Sequence, residues 1–149
     1  MKALPKPLRS WLRNFSKAVR DRDFASGKKL FDARVVSFGT VRFRAEGLDE
    51  LFSRQWQAVW PRTRDFDFEY DSTVAFAGSG GAVIAVNWFS TGLVRGKKSV
   101  KRRGRATIVL KKSAPGWKAV HTHFSIAPTS KHDPILRHAK SSLHDPRLR

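Results

Sequence analysis

Cysteine is absent from the 149 residues, and methionine and tyrosine occur once each. Without cysteine there is no disulfide framework, thiolate metal site or cysteine nucleophile. A reducing compartment such as the cytoplasm fits that composition. Long apolar runs are missing too: the longest wholly apolar stretch is Ala82–Val86, far short of the roughly 20 residues a spanning helix needs. The opening MKALPKPLRSW has no continuous apolar core of the kind a secretory signal carries. Acids are scarce, with 12 Asp plus Glu against 30 Lys plus Arg and a net charge of +18. Aromatic carbon, by contrast, is plentiful: eleven Phe and five Trp in a chain that is 40% hydrophobic. That is core material for one globular domain, which at this length buries about 68–70% of its unfolded surface.

The positive charge is clustered. Residues 1–20 hold six basic residues and no acid, and residues 95–105 hold seven and no acid. Residues 129–149 add five basic residues against two acids. Arg95, Lys97, Lys98, Lys101, Arg102 and Arg103 therefore form a candidate basic surface. Such a surface suits a nucleic acid or other polyanion, since each cation on a phosphate releases counterions. It also suits a solvated rim with two basic termini, and charge alone names no partner.

Leu8, Trp11, Leu12, Phe15 and Val19 follow the i, i+3, i+4, i+7 rhythm of an amphipathic helix, with Pro7 in its first turn. A basic, acid-free, amphipathic start is also compatible with mitochondrial targeting, but the large aromatic stripe favours an integral helix. A second helical piece is expected over Asp23–Phe31. Strands are expected over Ala33–Phe38 and Val41–Ala45. A third helix should run from about Gly47 to Trp60, stopped by Pro61. Its inner face would hold Leu48, Leu51, Phe52, Gln55, Trp56 and Val59, with Trp60 one turn beyond Trp56.

The second half reads as strands. In Asp65–Phe76 the acids Asp65, Asp67, Glu69 and Asp71 alternate with Phe66, Phe68 and Tyr70, and Val74 and Phe76 are expected on the aromatic side. Ala82–Ser90, Arg102–Lys112 and Trp117–Ala127 follow, separated by turns. Helices first and an antiparallel meander after indicate an α+β domain over residues 1–128, with 129–149 a basic, mobile tail.

This order, with EGLDELFSRQWQAVWP, GGAVIAVNWFSTG and GRATIVLKKSAPGWKAVHTHFSIAP, resembles the nuclear transport factor 2-like superfamily over about residues 10–128. SnoaL-like members and the association domain of calcium/calmodulin-dependent kinase II are the nearest in pattern. Glu46–Asp49 and Gly116–Pro128 carry most of the likeness. The resemblance implies a cone-shaped half-barrel: a strongly curved, mostly antiparallel sheet with the N-terminal helices packed on its concave face. It also implies a pocket at the wide end and dimers formed through the sheet. Pocket positions carried over are Trp60, Trp88, Thr107 and Phe124, with Trp56, Phe38, Arg105 and Thr122 beside them. The association domain has arginines where this chain has Trp88, Thr107 and Phe124. A small apolar or aromatic ligand is therefore expected here, with Arg105 as the nearby cation.

Chemistry-bearing residues are few. A proton-shuffling isomerase or cyclase needs a carboxylate inside the pocket, and no acid is forced there by the pattern; Asp32 comes nearest, with a turn role as its alternative. His121 and His123 project to one side of a strand, within reach of a shared metal. A third ligand is lacking, and the same parity turns them away from Thr122 and Phe124. A sheet face at a dimer contact is the preferred reading, with no metal, cofactor or membrane partner expected. The expectation is a dimeric binding protein for a small molecule. A polyanion-binding or assembly module, or an isomerase-like enzyme, are its alternatives.

Overall fold

The computed structural model describes residues 3–96 and 98–128; Lys97 and the expected tail at 129–149 lie outside the described residues. Helix α1 spans Lys6–Asp21 and buries Leu8, Trp11, Leu12, Phe15, Ala18 and Val19, the stripe its spacing prescribes. Pro7 in the first turn has no N–H to leave unsatisfied there. Arg22 ends the helix in the left-handed conformation, and its N–H bonds the carbonyls of Ala18 and Val19. Helix α2 covers only Phe24–Lys28, capped by the Asp23 side chain, which accepts from the Ser26 N–H. The expected extension to Phe31 does not form, because Phe31 starts strand β1 (Phe31–Phe38) and pairs with Ala119.

Among the described residues, six strands build one sheet in the order β2-β1-β6-β5-β4-β3. The others are β2 (Ala45–Glu46), β3 (Thr63–Ala77), β4 (Gly81–Gly92), β5 (Val100–Lys112) and β6 (Trp117–Ile126). Only β1 and β6 are parallel; the remaining pairs are antiparallel. The sheet is curved and unclosed, and the aromatic face of α1 packs against it. Trp11 Nε1 donates to the Leu30 carbonyl at 3.0 Å and Arg20 Nη1 to that of Phe66 at 2.9 Å, tying α1 to both sides.

Two expectations about strands fail for reasons visible in the backbone. Val41–Ala45 is a strand only from Ala45. The Gly39 N–H closes a turn onto the Arg42 carbonyl, and with no strand beside them Val41 and Phe43 are 57% and 96% exposed. In β3, alternation holds through Phe66 and Phe68 and then breaks. Glu69 pairs with Asn87 but Val74 with Ala85, so extra residues bulge out of β3 and reverse its parity. Thr73 turns inward, while Val74 and Phe76 face out, 39% and 67% exposed.

The third helix occupies residues 48–62 in mixed form: α-helical Leu48–Leu51, a π turn Phe52–Trp56, α-helical Gln57–Val59, and a 3-10 turn Trp60–Arg62. Pro61, with no N–H to donate, favours the tightened end. Inserted π turns recur at functional sites, and this one carries Gln55 and Trp56.

Candidate functional site

Between the helices and the concave face of the sheet lies a cavity of about 60 Å³. At about 30 Å³ per water, that is room for about two waters. Phe15 and Val19 of α1 and Trp56, Val59 and Trp60 of the third helix form one wall. Phe31, Phe66, Trp88 and Phe124 form the other. The indoles occupy most of the cone. Trp56 and Trp60 stack at 4.5 Å, Phe24 stacks on Trp60 at 5.0 Å, and Trp56, Trp60 and Trp88 are each no more than 4% exposed. What remains open is a narrow aromatic cleft.

Glycine makes two of these placements possible. Trp88 faces Gly104 across the β4–β5 register, and a Cβ on Gly104 would fall 2.4 Å from the indole. The ring therefore lies flat over β5 and donates from Nε1 to the Arg105 carbonyl at 3.2 Å. A Cβ on Gly92 would meet the Arg102 stem at 2.9 Å; its absence lets that side chain fold inward.

The polar residues gather at one end. Arg102 Nη2 donates to Thr40 Oγ1 at 3.1 Å, and the guanidinium lies 5.5 Å from the Trp88 ring centre. Burial pulls the Arg102 pKa below its ordinary value. Ser37 and Thr122 hydrogen-bond each other at 2.7 Å, so their polarity is internally met. Ser90 Oγ and Gln55 Oε1 are buried with no partner. Among the described lining residues, Arg102 is the one ionisable group.

Of the expected pocket residues, Trp56, Trp60, Trp88, Thr122 and Phe124 meet at this cavity. Phe38, Arg105 and Thr107 do not. Phe38 pairs with His123, as does Thr107, while Ala106 pairs with Phe124. Cross-strand partners share a face, so Phe38 and Thr107 belong with His123 on the outer side, and Arg105 shares the parity of Thr107. Ser37 takes the inward place given to Phe38, and Arg102 takes that of Arg105. A sequence signal for Arg102 existed: it has the parity of Gly104, Ala106, Ile108 and Leu110, all buried.

His121 and His123 flank Phe38 at 5.0 and 5.3 Å on the outer face, and His121 Nδ1 hydrogen-bonds with the Val36 carbonyl at 2.7 Å. Among the described residues no cluster of three metal-ligating side chains exists. Asp32 lies outside the cavity, accepting from the Arg34 N–H at 2.9 Å and from Lys111 Nζ at 3.0 Å. Those bonds, the backbone one first, hold its carboxyl below the usual range. The basic surface divides. Arg102 enters the cavity, whereas Arg103 reaches over β4 to Glu69 at 3.1 Å although β3 and β5 are not neighbours. Arg95, Lys98 and Lys101 stay exposed. Among the described residues no helix is long and apolar enough to cross a membrane.

A similar architecture recurs in solved structures. A nuclear transport factor 2-like superfamily protein from Salmonella enterica superposes with a TM-score of 0.72 at 18% identity, over 85% of this chain and 93% of that one. A ketosteroid isomerase-like protein from Erwinia carotovora gives 0.70 at 18% identity, over 83% and 95%. A protein described as a calcium/calmodulin-dependent protein kinase II association domain, from Xanthomonas campestris, gives 0.69 at 17% identity, over 85% and 94%. Such identities establish the fold alone. No curated protein sequence matches. The model of the SnoaL-like domain, however, matches residues 8–129. With that match running through every described helix and strand, the chain belongs to the SnoaL-like domain family.

Proposed function

We propose that the protein is a binding module for a small aromatic molecule, held in the cleft between Trp56, Trp60, Trp88 and Phe124, and that it works as a dimer paired through the outer face of its sheet. The carrying observation is the one-ended chemistry of the cavity: aromatic walls along its length and unpartnered polar atoms at one end. Pockets of that make-up orient a flat apolar ligand by a few polar contacts. At about 60 Å³ the cleft is smaller than the roughly 150 Å³ cavity that takes benzene, so a single ring enters by displacing water and by moving the flanking side chains apart. An isomerase-like reaction would need a base in the cavity, and the lining offers a guanidinium instead, which favours binding over proton transfer. Pairing is supported by Val74, Phe76 and Phe89, apolar residues 39–67% exposed on that outer face.

A fragment screen read by tryptophan fluorescence tests the reading. Single-ring hits are expected to change the emission of the wild type and to lose most of their affinity in Trp60→Ala. A Trp60→Ala protein that binds the same hits with unchanged affinity refutes the assignment of the cleft.

A further inference from the structure

Arg102 is placed as an internal ion-pairing group would be, yet among the described residues no carboxylate meets it. Among the described residues every ion pair is made by other cations, and the nearest polar partner of Arg102 is the neutral Thr40 hydroxyl. A guanidinium has five N–H donors in a planar fork, so one bond to Thr40 leaves most of that capacity unused in a half-buried position. Directly across the β4–β5 register stands Ser90, 5% exposed, its hydroxyl without a partner. Gln55 Oε1 is a second buried unpartnered atom on the same cavity. An unpartnered buried polar atom ordinarily costs about 1–3 kcal/mol, so two such atoms, Ser90 Oγ and Gln55 Oε1, on one cavity with the half-buried Arg102 guanidinium indicate a ligand that satisfies them together.

We propose that Arg102 is the anion-binding group of this cavity and that the ligand is a single-ring aromatic carboxylate. Its carboxylate takes the free guanidinium edge and the Ser90 hydroxyl, and its ring lies in the tryptophan-walled cleft. The inference rests on the aromatic-cleft reading and narrows it. A carboxylate matches the fork in geometry and charge, and the pair gains strength beside Trp88, where water is largely excluded. Gln55 Oε1 asks for a donor, which a hydroxyl or amino substituent on the ring supplies. The cleft is too narrow for a nucleic acid base with its backbone, so the cation is directed at a small anion and not at a polyanion.

Isothermal titration of the full chain tests this, with benzoate and its neutral isostere benzamide as probes and with salt raised to about 0.3 M to screen the exposed cations. Benzoate is expected to bind the wild type at least about tenfold more tightly than benzamide, as a charge-assisted bond outweighs a neutral one. Arg102→Met should remove that preference while leaving benzamide affinity within about threefold, since the aromatic walls are unchanged. Arg102→Met should also melt no lower than the wild type, because it removes a partly desolvated cation that no described carboxylate compensates. Equal affinity of the wild type for the two probes overturns the anion assignment and leaves the aromatic cleft standing. Failure of both probes to bind overturns the two readings together. A benzoate preference that survives in Arg102→Met places the anion elsewhere and likewise overturns the proposal. The wild-type comparison decides the matter even where the variant fails to fold.

Discussion

Phe15→Ala tests the idea that one aromatic side chain holds the helices to the sheet and walls the cleft at the same time. Phe15 is 4% exposed and lies 5.4–6.3 Å, centroid to centroid, from seven rings: Trp11, Phe31, Trp56, Trp60, Phe66, Phe68 and Phe124. Those rings come from α1, β1, the third helix, β3 and β6, so they cannot all collapse into the vacated space. Buried Phe→Ala changes lose about 3–5 kcal/mol, and the rigid surround argues for about 4 kcal/mol here. That is a large share of the 5–15 kcal/mol typical of a domain. It corresponds to a Tm lower by about 8–16 °C for a chain of this size. Urea unfolding gives the free energy, with the m-value confirming that the unfolded state is unchanged. Because Phe15 also lines the cavity, the truncation should merge the two spaces and admit benzene. At about ten times its Kd, benzene should restore roughly 1.4 kcal/mol to the variant and less to the wild type. A loss below about 1.5 kcal/mol, or no benzene rescue, refutes the view of Phe15 as a fixed shared wall.

Two further outcomes are expected. Glu69 is held below its ordinary pKa chiefly by the Arg103 hydrogen bond, Asp32 chiefly by the Arg34 N–H, and Asp23 chiefly by the Ser26 hydroxyl. Carboxyls depressed in the folded state contribute stability above their unfolded pKa of about 4, and that stability is lost as the pH falls through the folded values. Urea midpoints should therefore hold above about pH 5 and decline below about pH 4; a level profile down to about pH 2 contradicts these contacts. For the dimer, light scattering at about 100 μM, a concentration at which micromolar pairing is saturated, should give twice the chain mass. Phe76→Arg, at a 67% exposed position, should give the monomer mass with the Tm little changed. A monomeric wild type at that concentration removes the pairing proposal.

Much of the design was legible in the linear pattern because its rules are local. The stripe of α1 depends on helical period alone, and Trp11, Phe15 and Val19 are buried where that period puts them. The order of helices and strands, and the inward Trp56, Trp60 and Trp88, follow from the same short-range regularities together with the family likeness. The limits arose where a residue's side depends on its neighbour strand. Alternation says that Arg103, Arg105 and Thr107 share one face and Arg102, Gly104 and Ala106 the other, but the pairing with β6 decides which face encloses the cavity. Bulges have the same effect: the extra residues in β3 turn Val74 and Phe76 outward, although Phe66 and Phe68 of the same strand point in. Arg103 and Glu69 meet across an intervening strand only because the sheet brings them there. Composition and period thus set an aromatic interior under a basic exterior. Register and curvature, which arise between strands, chose Arg102 as the arginine that lines the cavity among the described residues.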